Sequence, residues 1–245
     1  MIRLVLGLAL LPTAALSLFA AVQVLGRITI QTPSAWPFTV GVLAALGLWL
    51  LGFAAVEGRR GLVGRTLTLA RWLYVFGHEL THALAAWSLG AQVHDISVGP
   101  DGGHVDVSRS GAFISLAPYC VPIYSVLAVA AYRVLMWCCP GRFGLGWFLG
   151  LMGFTLAGHL LMTGECLWQR RQPDLAAAGG MVFSWSMIAI ANGLAVMLLT
   201  KALFPRAVAL AVSLRQVVNL SADFWTWSGH ALHVLLWPIK AGYPG

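Results

Sequence analysis

Long runs of apolar residues alternate with short polar segments along most of this chain. Six runs are about as long as the roughly 20 residues that a helix needs to cross the hydrocarbon core of a bilayer. They cover approximately residues 3–26, 36–56, 66–89, 112–136, 144–166 and 178–203. The pattern predicts an all-α, multi-pass membrane protein with about six transmembrane helices.

The first run follows Arg3, so it also resembles the apolar core of a signal peptide. Its apolar part is longer than the about 7–15 residues of such a core, which favours an uncleaved transmembrane helix. Lys and Arg residues near the ends of the predicted spans are more numerous on the side that holds the N-terminus. By the positive-inside rule, both ends of the chain are expected to face the inside.

Two segments depart from this pattern. In residues 91–108, apolar and polar side chains alternate around the turn sequence GPDGG, which predicts a small β-hairpin at the membrane surface. Residues 205–245 combine tryptophans with charged residues and are typical of one or two interfacial helices. We therefore divide the chain into two N-terminal transmembrane helices (1–64), a membrane core that includes the hairpin (65–204) and an interfacial amphipathic tail (205–245).

The composition agrees with a membrane location. Hydrophobic residues make up 59% of the chain and charged residues only 9%, against about 25% charged residues in soluble domains. A net charge of +7 is compatible with nucleic-acid binding, but the arginines mostly flank apolar runs, as topology signals do. We exclude nucleic acid as a partner and expect the lipid bilayer instead. The four cysteines form no metal-binding or redox spacing and are expected to be buried thiols.

The third apolar run contains the sequence HELTH, with His78, Glu79 and His82. Histidines four positions apart lie on the same face of a helix, so their imidazoles can bind one zinc ion. Glu79 beside them can accept a proton from the water on that zinc. The alternative is a pair of packed histidines beside a neutral or ion-paired glutamate. Ionisable side chains inside a membrane are costly and generally functional, which favours the metal site.

A catalytic zinc needs a third protein ligand and an open position for water. Ser88 occupies the place of the third histidine in the extended form of this motif, so the ligand must come from elsewhere. We favour Asp174, which follows Pro173 near the start of the last apolar run, although it could be an ordinary acidic residue at a helix start. Asp101 is the alternative third ligand, but the preference of hairpin turns for an Asp-Gly pair already accounts for an aspartate there.

Three other polar positions have two interpretations each. His159, in the fifth run, could polarise the scissile carbonyl or stabilise its oxyanion, or it could be a hydrogen-bonded packing residue. Asn192, in the sixth run, could bind a substrate backbone or bridge two helices, and the bridge is favoured. His94 and His104 on the hairpin could form a second metal site, but solvated strand residues are more common.

These features together resemble the site-2 protease family of intramembrane zinc metalloproteases, in particular its compact bacterial members. The resemblance covers roughly residues 65–203 and implies that His78 and His82 bind zinc, that Glu79 is the catalytic acid and base, and that a distant Asp is the third ligand. By position this is Asp174, although the family usually has an Asp-Gly pair where this chain has QPDLAAAGG. The family generally holds its zinc toward the cytosolic side, whereas the charge distribution places HELTH nearer the outer face.

The expected activity is zinc-assisted hydrolysis of a peptide bond in or near a transmembrane segment of a membrane protein substrate. The hairpin edge is expected to hold the unwound substrate by strand addition. A multi-pass protein of a bacterial plasma membrane is the expected location. The alternatives are a membrane metal-binding or transport protein and a catalytically silent relative that binds membrane partners. The sequence does not indicate an oligomeric state.

Overall fold

The computed structural model describes residues 1–54, 62–99, 102–142, 144–168 and 172–240. Nine helices of the α type and one two-stranded sheet are found in these ranges. In chain order the elements are α1 (Ile2–Gln31), α2 (Trp36–Ala54), α3 (Leu62–Ser88), β1 (Val93–Gly99), β2 (Gly102–Val107), α4 (Ala112–Cys120), α5 (Ile123–Cys138), α6 (Leu145–Trp168), α7 (Pro173–Ala178), α8 (Met181–Leu203) and α9 (Leu210–Lys240).

The predicted fold class, an all-α polytopic membrane protein with a small hairpin, is confirmed. Within the described ranges, four helices are long and apolar enough to cross a membrane, namely α1, α2, α6 and α8, and a fifth span is obtained if the bent pair α4–α5 counts as one. The remaining predicted span corresponds to α3, which has 27 residues. It is long enough to cross but is not among the candidates, because the HELTH residues and its arginines make it more polar.

The chain bends by 67° between α4 and α5. Pro122 lies at this break, and proline disfavours a helical conformation in the residue before it. Val121 is accordingly extended, with φ −108° and ψ 112°. The amide N–H of Ile123 bonds the carbonyl of Val121 rather than a carbonyl one helical turn back. The carbonyl of Tyr119, at the end of α4, is thereby free to accept a hydrogen bond from another element.

Two helix pairs, α1 with α8 and α2 with α6, form the centre of the fold. Glycines let their backbones approach closely, as is common between membrane helices. Gly7 of α1 lies against the backbone of Phe183, and Gly153 of α6 lies against that of Phe38. The hydroxyl of Ser186 donates a hydrogen bond of 3.0 Å to the carbonyl of Gly7 and fixes the first pair further.

The predicted hairpin is formed by β1 and β2, which pair antiparallel with Ile96 opposite Val105 and Ser97 opposite His104. An irregularity between Val93 and Asp95 shifts the register. Val93 and Val107 pack against a small buried cluster from α3 and α4 that includes Ala86 and Ile114. This contact attaches the hairpin to the helix that carries HELTH. Asp101, the rival ligand in the turn, lies outside the described residues.

The tail is one long helix, α9, that packs against α1. Val217 of α9 is buried in the main apolar cluster with Val24 and Ile28 of α1. Further along, Leu220 and Trp227 line an apolar groove together with residues 11–16 of α1. The interfacial position predicted for residues 205–245 stays a prediction, and α9 is not one of the candidate spans among the described residues.

Candidate metal centre

His78, His82 and Asp174 come together although they belong to two distant parts of the chain. One ligand atom from each lies within 4.8 Å of the others. The Nε2 atoms of His78 and His82 lie 3.6 Å and 3.4 Å from Oδ2 of Asp174. A tetrahedral zinc site with bonds of about 2.0–2.1 Å separates its ligand atoms by about 3.4 Å. The donor types and spacing therefore fit one metal ion.

A backbone contact orients His82 for this role. Its Nδ1 atom lies 2.8 Å from the carbonyl oxygen of Ile114 at the start of α4. In a neutral imidazole that donates its Nδ1–H to a carbonyl, the Nε2 lone pair is left for a metal. The Nε2 atom is the one that faces Asp174. The ring of His78 is held by aromatic contacts with Tyr119, at 5.0 Å between centroids, and with Tyr74, at 5.9 Å.

Asp174 lies in the first turn of α7, a helix of only six residues that begins at Pro173. The helix ends at Gly179 and Gly180, whose positive φ values of 129° and 98° favour glycine. Arg3 of α1 donates a hydrogen bond of 2.9 Å to the last carbonyl of α7, at Ala178. Burial raises the pKa of Asp174, but its contacts with His78, His82 and Tyr119 outweigh this and hold that pKa below its usual range. Asp174 is thus a carboxylate, the form that binds cations.

Glu79 is only 6% exposed and lies between the histidines and the hairpin. A small cavity of about 120 Å³ is lined by Glu79 and His78, by Tyr74 and Tyr119, and by Gly103 of β2. A cavity of this size holds several water molecules. The cavity therefore has room for water beside Glu79 and His78 inside a largely apolar fold.

His159 is not part of the three-residue group. Its Nε2 atom lies 3.0 Å from Oδ1 of Asn192. The amide of Asn192 in turn donates to the carbonyls of Tyr119 and Ile188, at 2.7 Å and 2.9 Å. Asn192 thus bridges α4, α6 and α8, as the favoured interpretation of this residue expected. The catalytic role of His159 stays a prediction.

The hairpin histidines do not form a second three-ligand site in the described parts of the chain. His104 lies with its Nε2 atom 3.6 Å from Oδ2 of Asp95, and both side chains are about two-thirds exposed. His78, His82 and Asp174 are the only group of three or more metal-binding side chains found among the described residues. This favours the interpretation of His94 and His104 as solvated strand residues.

Sequence reasoning missed two residues that shape the site. Tyr119 donates a hydrogen bond to Asp174, and Gly103 brings the hairpin against Glu79. A tyrosine in an apolar run is usually a core residue, and a second glycine after a turn is usually a turn residue. No local signal singled them out, because their partners lie far away in the chain.

A comparison with protein families agrees with this geometry. A family model described as Peptidase M50B-like matches residues 38–166, which is more than half of the chain. The chain belongs to this family. Peptidase M50B-like proteins form a site-2 protease family of membrane metalloproteases, so the resemblance noted from HELTH is confirmed.

The matched range differs from the one expected over residues 65–203. In this M50B-like protein it begins in α2, which the resemblance had left out, and it ends before α7. Asp174 therefore comes from a part of the chain that the family model does not cover. No curated protein matches the chain, and no solved structure does.

Proposed function

We propose that this M50B-like protein is a zinc-dependent intramembrane endopeptidase. Its reaction would be hydrolysis of a peptide bond in or near a transmembrane segment of a membrane protein substrate. The observation that carries the proposal is the meeting of His78, His82 and Asp174, with His78 and Glu79 both lining a small cavity. The proposed location is a bacterial plasma membrane.

His78, His82 and Asp174 would hold the metal, and zinc is the ion that agrees with two imidazoles and one carboxylate. The family as a whole is zinc-dependent. A zinc ion in this position supplies Lewis acidity, which lets water lose a proton near neutral pH. Three protein ligands would leave room for that water, as in catalytic zinc sites generally.

Glu79 is the proposed acid and base. Its carboxylate accepts the proton as the water oxygen bonds the carbonyl carbon of the scissile peptide. When the carbon–nitrogen bond breaks, Glu79 returns this proton to the leaving amine nitrogen. The products are a new carboxyl group and a new amine, so no further reactant is needed. In this scheme His159 would stabilise charge on the carbonyl oxygen after its Nε2–H has left Asn192, its partner in this structure.

A helical substrate hides its peptide groups in its own hydrogen bonds and must unwind before it is cleaved. We propose that the hairpin holds the unwound segment by strand addition. The sheet has only two strands in the described part of the chain, so each strand has one edge without a neighbouring strand. Gly103 brings this sheet into contact with Glu79, which supports delivery of the substrate to the acid and base.

The test compares the purified wild type with Glu79→Gln in liposomes that contain a mixture of single-span membrane proteins. We expect about one zinc per chain in both proteins, and cleavage that is about 100- to 10,000-fold slower in the variant because the base is lost. Equal cleavage rates in the variant and the wild type would show that Glu79 is not the acid and base. Zinc uptake into the liposomes that persists in Glu79→Gln, without cleavage by either protein, would favour a metal transporter.

A further inference from the structure

Tyr119 is the largest completely buried side chain among the described residues, with 1% of its surface exposed. A phenol in such a place needs a hydrogen-bond partner, because an unpaired buried hydroxyl is costly. The hydroxyl of Tyr119 lies 3.0 Å from Oδ2 of Asp174 and 3.2 Å from Oε1 of Gln172. Both neighbours come from the segment that begins α7.

A phenol has only one proton to donate, and a carboxylate can only accept. Asp174 therefore takes the proton of Tyr119. Oε1 of Gln172 is the second and longer acceptor contact of the same hydroxyl. The hydroxyl of Tyr119 is therefore held between two acceptors, and the charged one, Asp174, is the stronger.

The oxygen of Asp174 that accepts from Tyr119 is also the one that faces the imidazoles. Oδ2 of Asp174 accepts from Tyr119, and the same atom lies 3.6 Å and 3.4 Å from the Nε2 atoms of His78 and His82. A carboxylate oxygen has two lone pairs. When the phenol takes one of them, the other is left for a metal that His78, His82 and Asp174 would hold together.

Tyr119 is itself held in place by two other elements. Its carbonyl, which the break after α4 leaves free, accepts a hydrogen bond of 2.7 Å from Asn192 of α8. Its ring packs edge-on against His78 of α3, with the two ring planes at 87°. Arg3 and Ser184 hold the backbone of α7, at Ala178 and Leu175. Tyr119 instead holds the side chain of Asp174, the group that would bind the metal.

We propose that Tyr119 is a positioning residue that holds Asp174 in the orientation needed to bind zinc. The inference rests on the proposed zinc-dependent function. Hydrogen bonds to metal-binding side chains typically change metal affinity by about 10- to 100-fold. The phenol hydroxyl is expected to contribute to zinc affinity by an amount in this range.

The test compares three full-length proteins in detergent: the wild type, Tyr119→Phe and Tyr124→Phe. Tyr124→Phe is the matched control, because it removes a phenol hydroxyl that also bonds α3, but at the backbone carbonyl of Leu73 rather than at a metal-binding side chain. Zinc affinity is measured by competition with a chelator, and the ligand arrangement by the visible spectrum of the cobalt-substituted protein. We expect about 10- to 100-fold weaker zinc binding and an altered cobalt spectrum in Tyr119→Phe alone.

Equal zinc affinity and identical cobalt spectra in Tyr119→Phe and the wild type would overturn the inference. So would equal losses in both variants, because the effect would then be a general one of losing a phenol. A wild type that folds but binds no zinc would overturn the proposed function itself.

A double-mutant cycle with Asp174→Ala separates a positioning effect of Tyr119 from a general loss of stability in Tyr119→Phe. Without the carboxylate the hydroxyl has nothing to orient, so Tyr119→Phe should cause no further loss of residual metal binding in that background. A further loss of the same size as in the wild type would count against a positioning role.

Discussion

Gly103 lies so close to Glu79 that a methyl group at position 103 would come within 2.7 Å of the glutamate's Cγ atom. It would also come within 2.7 Å of the carbonyl oxygen of Ser97 on the neighbouring strand. The φ of Gly103 is not positive, so the glycine is needed for space rather than for an unusual backbone. The sheet therefore touches the proposed base directly.

Gly103→Ala is expected to push β2 away from Glu79 and to lower the cleavage rate by about tenfold or more, since small displacements in an active site are costly. Zinc content should stay unchanged, because the three ligands are on other elements. Cleavage and bound zinc are both measured. Gly99→Ala is the control, since a methyl group there would meet its nearest neighbour at an ordinary 3.4 Å, and a similar loss in that variant would contradict the explanation.

Asp174→Ala is expected to abolish tight zinc binding, because two histidines alone seldom retain zinc in a catalytic site. The measurement is zinc per chain after dialysis against a weak chelator. Asp101→Ala tests the rival ligand in the turn and should keep about one zinc per chain. The opposite result, with zinc lost in Asp101→Ala and kept in Asp174→Ala, would identify Asp101 as the third zinc ligand.

Proline substitutions test whether the substrate pairs with the sheet. Val93→Pro or Ile96→Pro removes a backbone N–H of β1 and should abolish cleavage while zinc stays bound. Cleavage by either variant at the rate of the wild type would rule out strand addition at β1. Circular dichroism controls for the helical fold. Because Val93 packs against α3 and α4, Ile96→Pro, at an exposed position, is the more specific test of the two.

Gly7→Ala tests the contact between α1 and α8. A methyl group at Gly7 would come within 2.7 Å of backbone atoms of Phe183, and overpacking of this kind typically costs about 1–3 kcal/mol. A methyl group at Gly26, in the same helix, would have no such neighbour within 4 Å, so Gly26→Ala should be neutral or slightly stabilising. Thermal unfolding in detergent measures both, and equal shifts in the two variants would contradict a close contact at Gly7.

The parts of the site that depend on local geometry could be predicted from the sequence. His78 and His82 face one point because residues four apart share a side of any helix. Asp174 was predicted from its place near the start of the last apolar run, and the structure places it beside the two histidines. The bend at Pro122 also follows from local chemistry, since proline restricts its predecessor.

The remaining features depend on contacts between distant segments. Nothing near Tyr119 in the sequence indicates Asp174 or Asn192, because those contacts exist only after α4, α7 and α8 have packed together. That α3 crosses the membrane stays a prediction, because its HELTH residues and arginines keep it out of the candidate spans found among the described residues. The pattern of residues within one segment does not indicate which distant segments it will contact.

Asp174 is the last residue of the proposed zinc site to be synthesised. His78, Glu79 and His82 leave the ribosome well before Asp174, and α7 is held in place by Arg3 and by the start of α8. A zinc site that needs Asp174 cannot be complete before Asp174 itself has been synthesised. On the proposed function, we expect the chain to become an active protease only after α7 and the start of α8 have been made.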